Sequence, residues 1–407
     1  MSVIPFISAA KIAGLSTTTF SGLKTTSIAA FATTQVAALK ADQVNALTST
    51  ALQYLVAAQV QAISSTTMSG LIEAQIQAFT TTQITELTST QVNALTAIEI
   101  GVLSSAELQN LSTTQANALT AAQIGSLSTT VLNNLTTTQV AALTTTQVQG
   151  LTTTQLNALS TDNLGVLDVT KLGTEQAAGL STTVIGNLTT TRVAGLAATE
   201  VAALNASQID QLTTTELQNL STTQANALTA AQIGSLSTTV LNNLTTTQVA
   251  ALTAAQAHGL YWAQLNGLST SNLGALNVAQ LLPVQVIGLN TTIITNLTST
   301  QVGALTAADI GALTMAGVNS LTTTEIAALT TTQAGGFTSA QVAGMTTTNF
   351  SALSSTSGIP GLSTSAIAGL STDEIDSLTT TQGNAFVMAQ ISVMSIDVAS
   401  ALAALIQ

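Results

Sequence analysis

The chain has 407 residues, more than a usual single domain, yet no Pro-rich, Gly-rich or charged linker divides it. Five Lys and Arg against seventeen Asp and Glu give a net charge of −12, which excludes the basic surface that nucleic acid or anionic lipid requires. The sequence has no Cys, so disulfides and thiolate chemistry are excluded, and it has no run of about eighteen apolar residues that would predict a membrane-spanning helix.

The first predicted segment, residues 1–15, is apolar and lacks the Thr residues that dominate the rest of the chain. It has no basic region before its apolar part and no clear small-residue cleavage site, so it does not resemble a cleaved secretory leader. If the protein is extracellular, we expect export by a route that leaves the N-terminus uncut.

Eight-residue repeats (octads) fill residues 16–167, and from Leu135 onward the sequence LTTTQVAALTTTQVQGLTTTQLNAL shows the unit three times in succession. Thr136 suits a helix N-cap, because its hydroxyl can accept from an unpaired N–H of the first turn. Gln139 can reach back to the N–H of the cap and complete a capping box, while Leu135 and Val140 have the spacing of a hydrophobic staple. Each octad therefore predicts one helix of about two turns, which is too short to be stable without its neighbours.

A β-solenoid is the alternative, because Thr, Val and Ile favour strands. However, Leu and Val are spaced five and then three residues apart, so they share one face of a helix but fall on opposite faces of a strand. Pro283 also occupies a first helical position, where Pro is favoured. Acidic residues replace the Gln at a helix start, where the dipole favours negative charge. They are Glu99, Glu107, Glu200, Glu216, Asp309, Glu325 and Glu374. The prediction is an all-α solenoid with one short helix per octad. If two octads make one coil at the usual helix spacing of about 8–10 Å, a straight stack is about 200–250 Å long.

Two five-residue units (pentads), DVTKL at 168–172 and NVAQL at 277–281, interrupt the octads 109 residues apart. The same offset separates two identical 38-residue segments, 107–144 and 216–253, so a larger block was duplicated whole. The pentads bound a second repeat block, 168–281. We expect them to reset the phase of the helical stack, as stutters do in coiled coils, with a bend or corner near each one.

Octads continue through a third array, 282–386, and the last segment, 387–407, again loses its Thr caps and becomes apolar. Soluble solenoids normally close their ends with polar capping repeats. Two apolar ends on one molecule predict a head-to-tail contact that need not close into a ring. The residues predicted to form these assembly ends are Ile4, Pro5, Phe6, Ile7, Leu402, Leu405 and Ile406.

Two groups of residues are candidates for sites of chemistry. The only His, His258, stands near Tyr261 and the only Trp, Trp262, but one His without Cys or nearby carboxylates cannot build a metal shell, so a local packing variation is the simpler interpretation. Asp373 and Glu374 could suggest a pair of catalytic carboxylates, but acids in a first helical turn are explained by the helix dipole. We predict no catalytic residue, no metal site and no cofactor, and hence no enzyme.

The capping octads, the very low charge, the absence of Cys and the richness in Thr, Ala, Asn, Gln and Gly resemble extracellular repeat proteins of Gram-negative bacteria. These include surface-layer, adhesin and filament-forming proteins, many of them exported by type I machinery with an uncleaved C-terminal signal. The resemblance implies an extracellular or cell-surface location and allows attachment to a cell surface. The resemblance does not identify any functional residue in this sequence.

These observations predict a non-catalytic structural subunit that binds copies of itself head to tail and forms an extracellular filament or sheath. The alternative is a monomeric surface adhesin or ice-binding protein, which would use stripes of Thr at the first positions of successive octads.

Overall fold

The structure, a computed structural model, describes residues 4–407 with the exception of the side chain of Pro5. The described residues form 48 α-helices and three 3-10 helices and contain no β-strand. The prediction of an all-α solenoid is therefore confirmed, and the β-solenoid is excluded. The chain divides into two compact units, Met1–Leu204 and Asn205–Gln407.

The α-helices of the first unit are α1 (Ala9–Ala13), α2 (Thr17–Ser21), α3 (Thr25–Ala29), α4 (Thr33–Val36), α5 (Ala41–Asn45), α6 (Ser49–Gln53), α7 (Ala57–Ala62), α8 (Ser65–Met68), α9 (Glu73–Ile76), α10 (Thr81–Thr85), α11 (Ser89–Ala94), α12 (Ala97–Gly101), α13 (Ser105–Asn110), α14 (Thr113–Ala116), α15 (Ala121–Ser126), α16 (Thr129–Asn133), α17 (Thr137–Ala141), α18 (Thr145–Gly150), α19 (Thr153–Asn157), α20 (Thr161–Val166), α21 (Thr174–Gly179), α22 (Thr182–Gly186), α23 (Thr190–Gly195) and α24 (Ala198–Ala203).

The α-helices of the second unit are α25 (Ala206–Ile209), α26 (Thr214–Asn219), α27 (Thr222–Ala227), α28 (Ala230–Ser235), α29 (Thr238–Asn243), α30 (Thr246–Ala250), α31 (Ala254–Gly259), α32 (Trp262–Asn266), α33 (Thr270–Ala275), α34 (Pro283–Val286), α35 (Thr291–Asn296), α36 (Ser299–Ala304), α37 (Ala307–Ala312), α38 (Met315–Ser320), α39 (Thr323–Ala328), α40 (Thr331–Ala334), α41 (Ser339–Gly344), α42 (Thr347–Ser351), α43 (Gly358–Gly361), α44 (Thr364–Ile367), α45 (Thr372–Asp376), α46 (Thr380–Gly383), α47 (Met388–Ile391) and α48 (Ile396–Leu405). The 3-10 helices are Ile4–Phe6, Val169–Lys171 and Val278–Gln280.

Each octad forms one helix, but the helices are shorter than the two turns expected. All except the ten-residue α48 have four to six residues, which is less than two turns at 3.6 residues per turn. The reason is that each octad must also supply an extended N-cap and a connection to the next helix. Thr144, for example, is extended at φ −71° and ψ 161°, and Leu151 at the other end is extended at φ −68° and ψ 135°.

The apolar residues of the octads form the core, as the staple spacing predicts. Leu135 is 3% exposed and Val140 2% exposed, and the residues at the same two positions are buried in almost all of the remaining octads. Because Leu and Val lie on the inner face of each helix, successive helices bury a continuous aliphatic seam. The exposed positions of the same octads are the second and third Thr, such as Thr137 and Thr138.

The expectation of two octads per coil is wrong. Within each unit a helix packs mainly against the third helix after it, as in the pairs α15 with α18 and α28 with α31. Side-chain hydrogen bonds between coils join residues 28 and 31 positions apart. One coil of the solenoid therefore contains between three and four octads. A coil of two octads would require each octad to turn the chain by half a turn, and here each octad turns it by less.

Both pentads form 3-10 helices and take the place of an octad in the coil. In the first unit Val169–Lys171 packs against α18 and α23, and in the second Val278–Gln280 packs against α31 and α36, each three elements away. The pattern of contacts runs through both pentads without interruption, so the predicted corners are not supported. A 3-10 helix uses fewer residues per turn, which lets five residues occupy one position of the stack.

Of the described part of the chain, no helix has both the length and the apolar character needed to cross a membrane.

Candidate functional site

The residue that organises the structure is the Gln at the third helical position, and its carbonyl oxygen acts as predicted. In α17 the backbone N–H of Thr136 donates to Oε1 of Gln139 over 2.8 Å, and the N–H of Gln139 donates to the Thr136 hydroxyl over 3.2 Å. The same pair of bonds forms between Thr144 and Gln147 in α18. These capping boxes satisfy N–H groups that a helix start leaves without an intrahelical partner.

The amide nitrogen of the same Gln has a second function that the sequence did not suggest. Nε2 of Gln139 donates to the backbone carbonyls of Leu108 and Leu111, at 2.8 and 2.7 Å, in the preceding coil. Gln147 and Gln155 make equivalent pairs of bonds to residues 31 and 28 positions earlier. One buried amide therefore caps its own helix and satisfies carbonyls at the end of an earlier helix. We call this repeated set of bonds the glutamine ladder.

Other donors replace Gln in a few units and reach the same carbonyl. Nζ of Lys171 donates to the carbonyl of Leu143 over 2.7 Å, the Thr67 hydroxyl to Leu39 over 2.7 Å, and the Ser357 hydroxyl to Leu329 over 2.8 Å. In each case the acceptor lies 28 residues earlier. Several types of donor side chain can therefore fill this position and bind the same carbonyl.

Acidic residues occupy this position in seven octads, and the structure confirms that all of them are at the third helical position and buried. They are Glu99, Glu107, Glu200, Glu216, Asp309, Glu325 and Glu374. A carboxylate accepts from the cap, as Glu325 Oε2 does from the N–H of Thr322 over 2.8 Å. It has no proton to donate to the preceding coil, so these octads keep the capping box without the ladder bond.

Two carboxyl groups have pKa values shifted in opposite directions. Burial raises the pKa of Glu200, although the N–H of Ala197 opposes the shift by donating to its carboxylate. The hydrogen bond from the Thr170 hydroxyl lowers the pKa of Asp168, and Lys171 at 3.5 Å contributes in the same direction. The first shift comes from the ladder position and the second from the surface of the pentad.

A second set of bonds between coils uses Asn at the fifth helical position. Nδ2 of Asn133 donates to the carbonyl of Ala158 over 2.7 Å, and Oδ1 of the same residue accepts from the N–H of Ser160 over 2.8 Å. Asn242 makes the same pair of bonds with Gly267 and Ser269. Sequence reasoning missed these bonds, although the recurrence of Asn at one octad position was a usable signal.

Comparison with known families agrees with this repeating geometry. Residues 124–153 and 133–169 match the ALTTAQ repeat. The chain is a repeat protein. The matched residues include α17, α18 and α19, whose Gln residues each form a pair of ladder bonds. No curated protein matches the chain.

The predicted assembly ends of this repeat protein are partly buried within the chain itself. Ile4 is 7% exposed and Leu402 2% exposed, whereas Phe6 is 88% exposed and Ile406 38% exposed. Ile7 and Leu405 are half-buried, and the side chain of Pro5 lies outside the described residues. Of the residues predicted for assembly, Phe6 and Ile406 are the ones exposed enough to present large apolar surface to a second molecule.

The aromatic residues near His258 lie on the surface rather than in the core. Tyr261 and Trp262 are 64% and 62% exposed, at the cap and first helical positions that Thr or Ser occupies in most octads. Each side chain lies against a Gly of a neighbouring coil, Tyr261 against Gly234 and Trp262 against Gly288. Together with His258 they line a groove of about 230 Å³.

The adjacent residues Asp373 and Glu374 differ in burial and in hydrogen bonding. Asp373 is exposed, whereas Glu374 is 5% exposed and accepts from the backbone N–H of Ser371 over 2.8 Å and from the Ser371 hydroxyl. The two carboxyl groups therefore have different surroundings, as their positions in a capping box predict. Among residues 4–407, no three His, Asp or Glu residues are grouped closely enough to hold a metal ion.

Proposed function

We propose that this protein is a non-catalytic structural subunit that assembles head to tail into an extracellular filament or sheath. The observation that carries the proposal is the direction of the glutamine ladder. Every ladder bond runs from a side-chain donor to a carbonyl in the preceding coil, as from Gln155 to Leu127 and from Gln341 to Leu313. Through the glutamine ladder, a coil therefore offers Gln donors on one face and carbonyl acceptors on the other, while the Asn bonds, such as that from Asn133 to Ala158, run in the opposite direction, so the two faces of a coil are different.

Two different, complementary faces are what a heterologous contact requires. A contact between unlike faces of identical molecules gives an open filament when the rotation between neighbours does not close a ring. The protein already uses this contact repeatedly inside each unit. The simplest assembly repeats it between molecules, with another copy of the chain as the partner and no nucleic acid.

An extracellular or cell-surface location fits the composition of the outer surface. The exposed positions of the octads are mostly uncharged Thr and Ala, and only 5% of all residues are charged. We propose that the protein is extracellular or attached to a cell surface. Immunogold labelling of intact and permeabilised cells tests this location, and label found only after permeabilisation contradicts it.

Electron microscopy of the purified full chain at increasing concentration tests the assembly. We expect fibres one molecule wide or bundles of them, and a length distribution that shifts upward with concentration. Discrete particles of one size at all concentrations contradict the proposal.

A second candidate is a monomeric adhesin or ice-binding protein, favoured by the Thr rows. Thr137, Thr138, Thr145, Thr146 and Thr154 are all exposed on consecutive helices. Thermal hysteresis of a dilute solution tests the ice-binding form. Hysteresis that disappears when Thr137 and Thr145 are changed to Lys supports this candidate, and its absence in the wild type excludes ice binding.

A further inference from the structure

The first coil differs from all later coils at the ladder position. The third residues of α1, α2 and α3 are Lys11, Thr19 and Ser27, and the first Gln of the ladder, Gln35, is in α4. Gln35 donates to the carbonyl of Ile7 over 2.6 Å and is buried. Lys11 and Thr19 are exposed and Ser27 is half-buried, because no coil of the described chain covers this face.

Lys, Thr and Ser, together with Asn, are residue types that replace Gln as donors elsewhere in the ladder. Lys171, Thr67 and Ser357 each donate to a carbonyl of the preceding coil at 2.7–2.8 Å. The first coil therefore has suitable donors at three successive ladder positions. They would find partners if a coil of another molecule stood where a preceding coil stands inside the chain.

The last coil has the complementary acceptors. In the interior, the carbonyl of the last residue of an octad accepts a ladder bond, as Leu362 does from Gln390 over 2.8 Å. The equivalent residues in the last coil are Phe386, which is 6% exposed because α48 packs against α45 and α46, and Met394, which is half-exposed. No side-chain donor of the described chain reaches the carbonyl of Met394. The core residues Ile391 and Met394 are also half-exposed here, whereas nearly all interior octads bury both positions.

The charges at the two ends are complementary. Three of the five cationic residues, Lys11, Lys24 and Lys40, lie in the first 41 residues, where the sequence has no Asp or Glu. The last 35 residues contain four acidic residues and no Lys or Arg. Asp373, Asp376 and Asp397 are exposed, as are the three Lys residues. Opposite charges of this kind select and orient partners at an interface.

We propose that the first coil of one molecule docks on the last coil of a second copy, with Lys11, Thr19 and Ser27 donating to carbonyls that include that of Met394. The exposed Lys residues of the first coils face the exposed Asp residues of the last. The inference rests on the proposed head-to-tail assembly and assigns the surfaces and chemistry of the contact.

A charge-swapped pair of full-length proteins tests the contact. The first variant carries Lys11→Glu, Lys24→Glu and Lys40→Glu, and the second carries Asp373→Lys, Asp376→Lys and Asp397→Lys. In each variant alone the two ends have the same sign of charge, so we expect the concentration needed for assembly, measured by sedimentation and microscopy, to rise about tenfold or more. An equimolar mixture should assemble again, because each variant then supplies the end that the other lacks.

Two controls separate the contact from unfolding and from net charge. Far-UV circular dichroism checks that each variant keeps its helix content. The triple variant Lys11→Gln, Lys24→Gln, Lys40→Gln is compared with Thr137→Glu, Thr146→Glu, Thr154→Glu, because both change the net charge by −3. We expect the Lys→Gln variant to weaken assembly and the Thr→Glu variant to leave it unchanged. The effect of the Lys→Gln variant should be smaller at high ionic strength, because salt already screens the attraction in the wild type.

The outcomes distinguish the contact from the proposed function. A wild type that does not assemble overturns both. A wild type that assembles, with charge-swapped variants that assemble equally well alone, overturns the assigned contact and leaves the filament proposal standing. Folded variants that assemble neither alone nor when mixed also overturn the assigned contact, because restoring the charge complementarity would then have no effect on assembly.

Discussion

At the scale of single residues, the stability of this protein depends on the amide at the third helical position. A Gln side chain is long enough for its Oε1 to accept from the N–H at the start of its own helix while its Nε2 donates to carbonyls of the preceding coil. Glu has the same length but lacks the donor, and Thr or Ser has the donor but is too short to accept from the backbone N–H of the cap. Gln is thus the residue that completes both bonds at once, which explains its repetition.

Changing Gln139 to Glu should destabilise the protein by about 1–3 kcal/mol, because the carbonyls of Leu108 and Leu111 lose their donor and a carboxylate is buried. Chemical denaturation followed by circular dichroism measures the loss. Gln149→Glu is the matched control, since Gln149 is exposed in the next helix and the charge change is the same. Equal effects of the two substitutions would contradict a structural role of the ladder bond.

Glu200 should make stability depend on pH. Because burial raises its pKa in the folded state, the wild type gains stability as the pH falls through that raised pKa and loses it as the pH rises. Gln does not titrate and supplies the missing donor, so Glu200→Gln should be more stable than the wild type at about pH 7, with an advantage that shrinks toward about pH 5.

Unfolding free energies of the wild type and Glu200→Gln across this range test the prediction. Glu175→Gln is the control, because Glu175 is exposed in α21, against which α24 packs. A constant difference between Glu200→Gln and the wild type at every pH would show that Glu200 is not responsible.

At the scale of the helix, four to six residues cannot form a stable isolated element, so each helix exists because of the coils on either side. Close contact between coils depends on small residues near the helix ends. A Cβ added to Gly150 would lie 2.6 Å from the backbone oxygen of Ala121, whereas a Cβ added to Gly165 meets nothing within 4 Å. Gly is needed where the backbones of α15 and α18 meet, and not where a Gly faces open space.

Gly150→Ala should therefore destabilise the protein by roughly 1–3 kcal/mol, because α18 must move away from α15. Gly165→Ala should be neutral or stabilising by up to about 1 kcal/mol, since Ala has the higher helix propensity. Thermal unfolding of the two variants measures the difference. Similar melting temperatures for both would contradict the close approach seen between α15 and α18.

At the scale of the whole molecule, each of the two units is a stack in which a coil contacts mainly the coils before and after it, so stability is expected to be a sum of local terms. The coils at the ends have one neighbour each. Those coils should open more readily than the interior, and a single free energy of unfolding need not describe every region of the chain.

Hydrogen exchange followed by mass spectrometry should show this gradient. We expect amides of α2 to exchange faster than those of α17, although both helices have the same five-residue length and a Ser or Thr cap. Under conditions that favour assembly, protection of α2 should increase if the first coil is covered by another molecule. Equal exchange of α2 and α17 in the monomer would indicate one fully cooperative unit.

The sequence by itself determined the local structure. A cap, the Gln three residues later and the staple residues around them interact within a few positions of the chain, so Thr136, Gln139, Leu135 and Val140 were assigned correctly from their spacing alone. The burial of Glu325 and the other acids at helix starts follows from the same local pattern.

Only the tertiary structure decided how many octads form a coil, what the far end of each Gln binds, and how a pentad is accommodated. Gln139 and Leu108 are 31 residues apart, and nothing within one octad encodes the angle through which successive helices turn. That angle results from the packing of Leu, Val and small residues between coils, where each contact depends on all the others. The pairing of distant residues is therefore determined by the folded stack, whereas the positions of the helix starts are determined by the sequence of each octad.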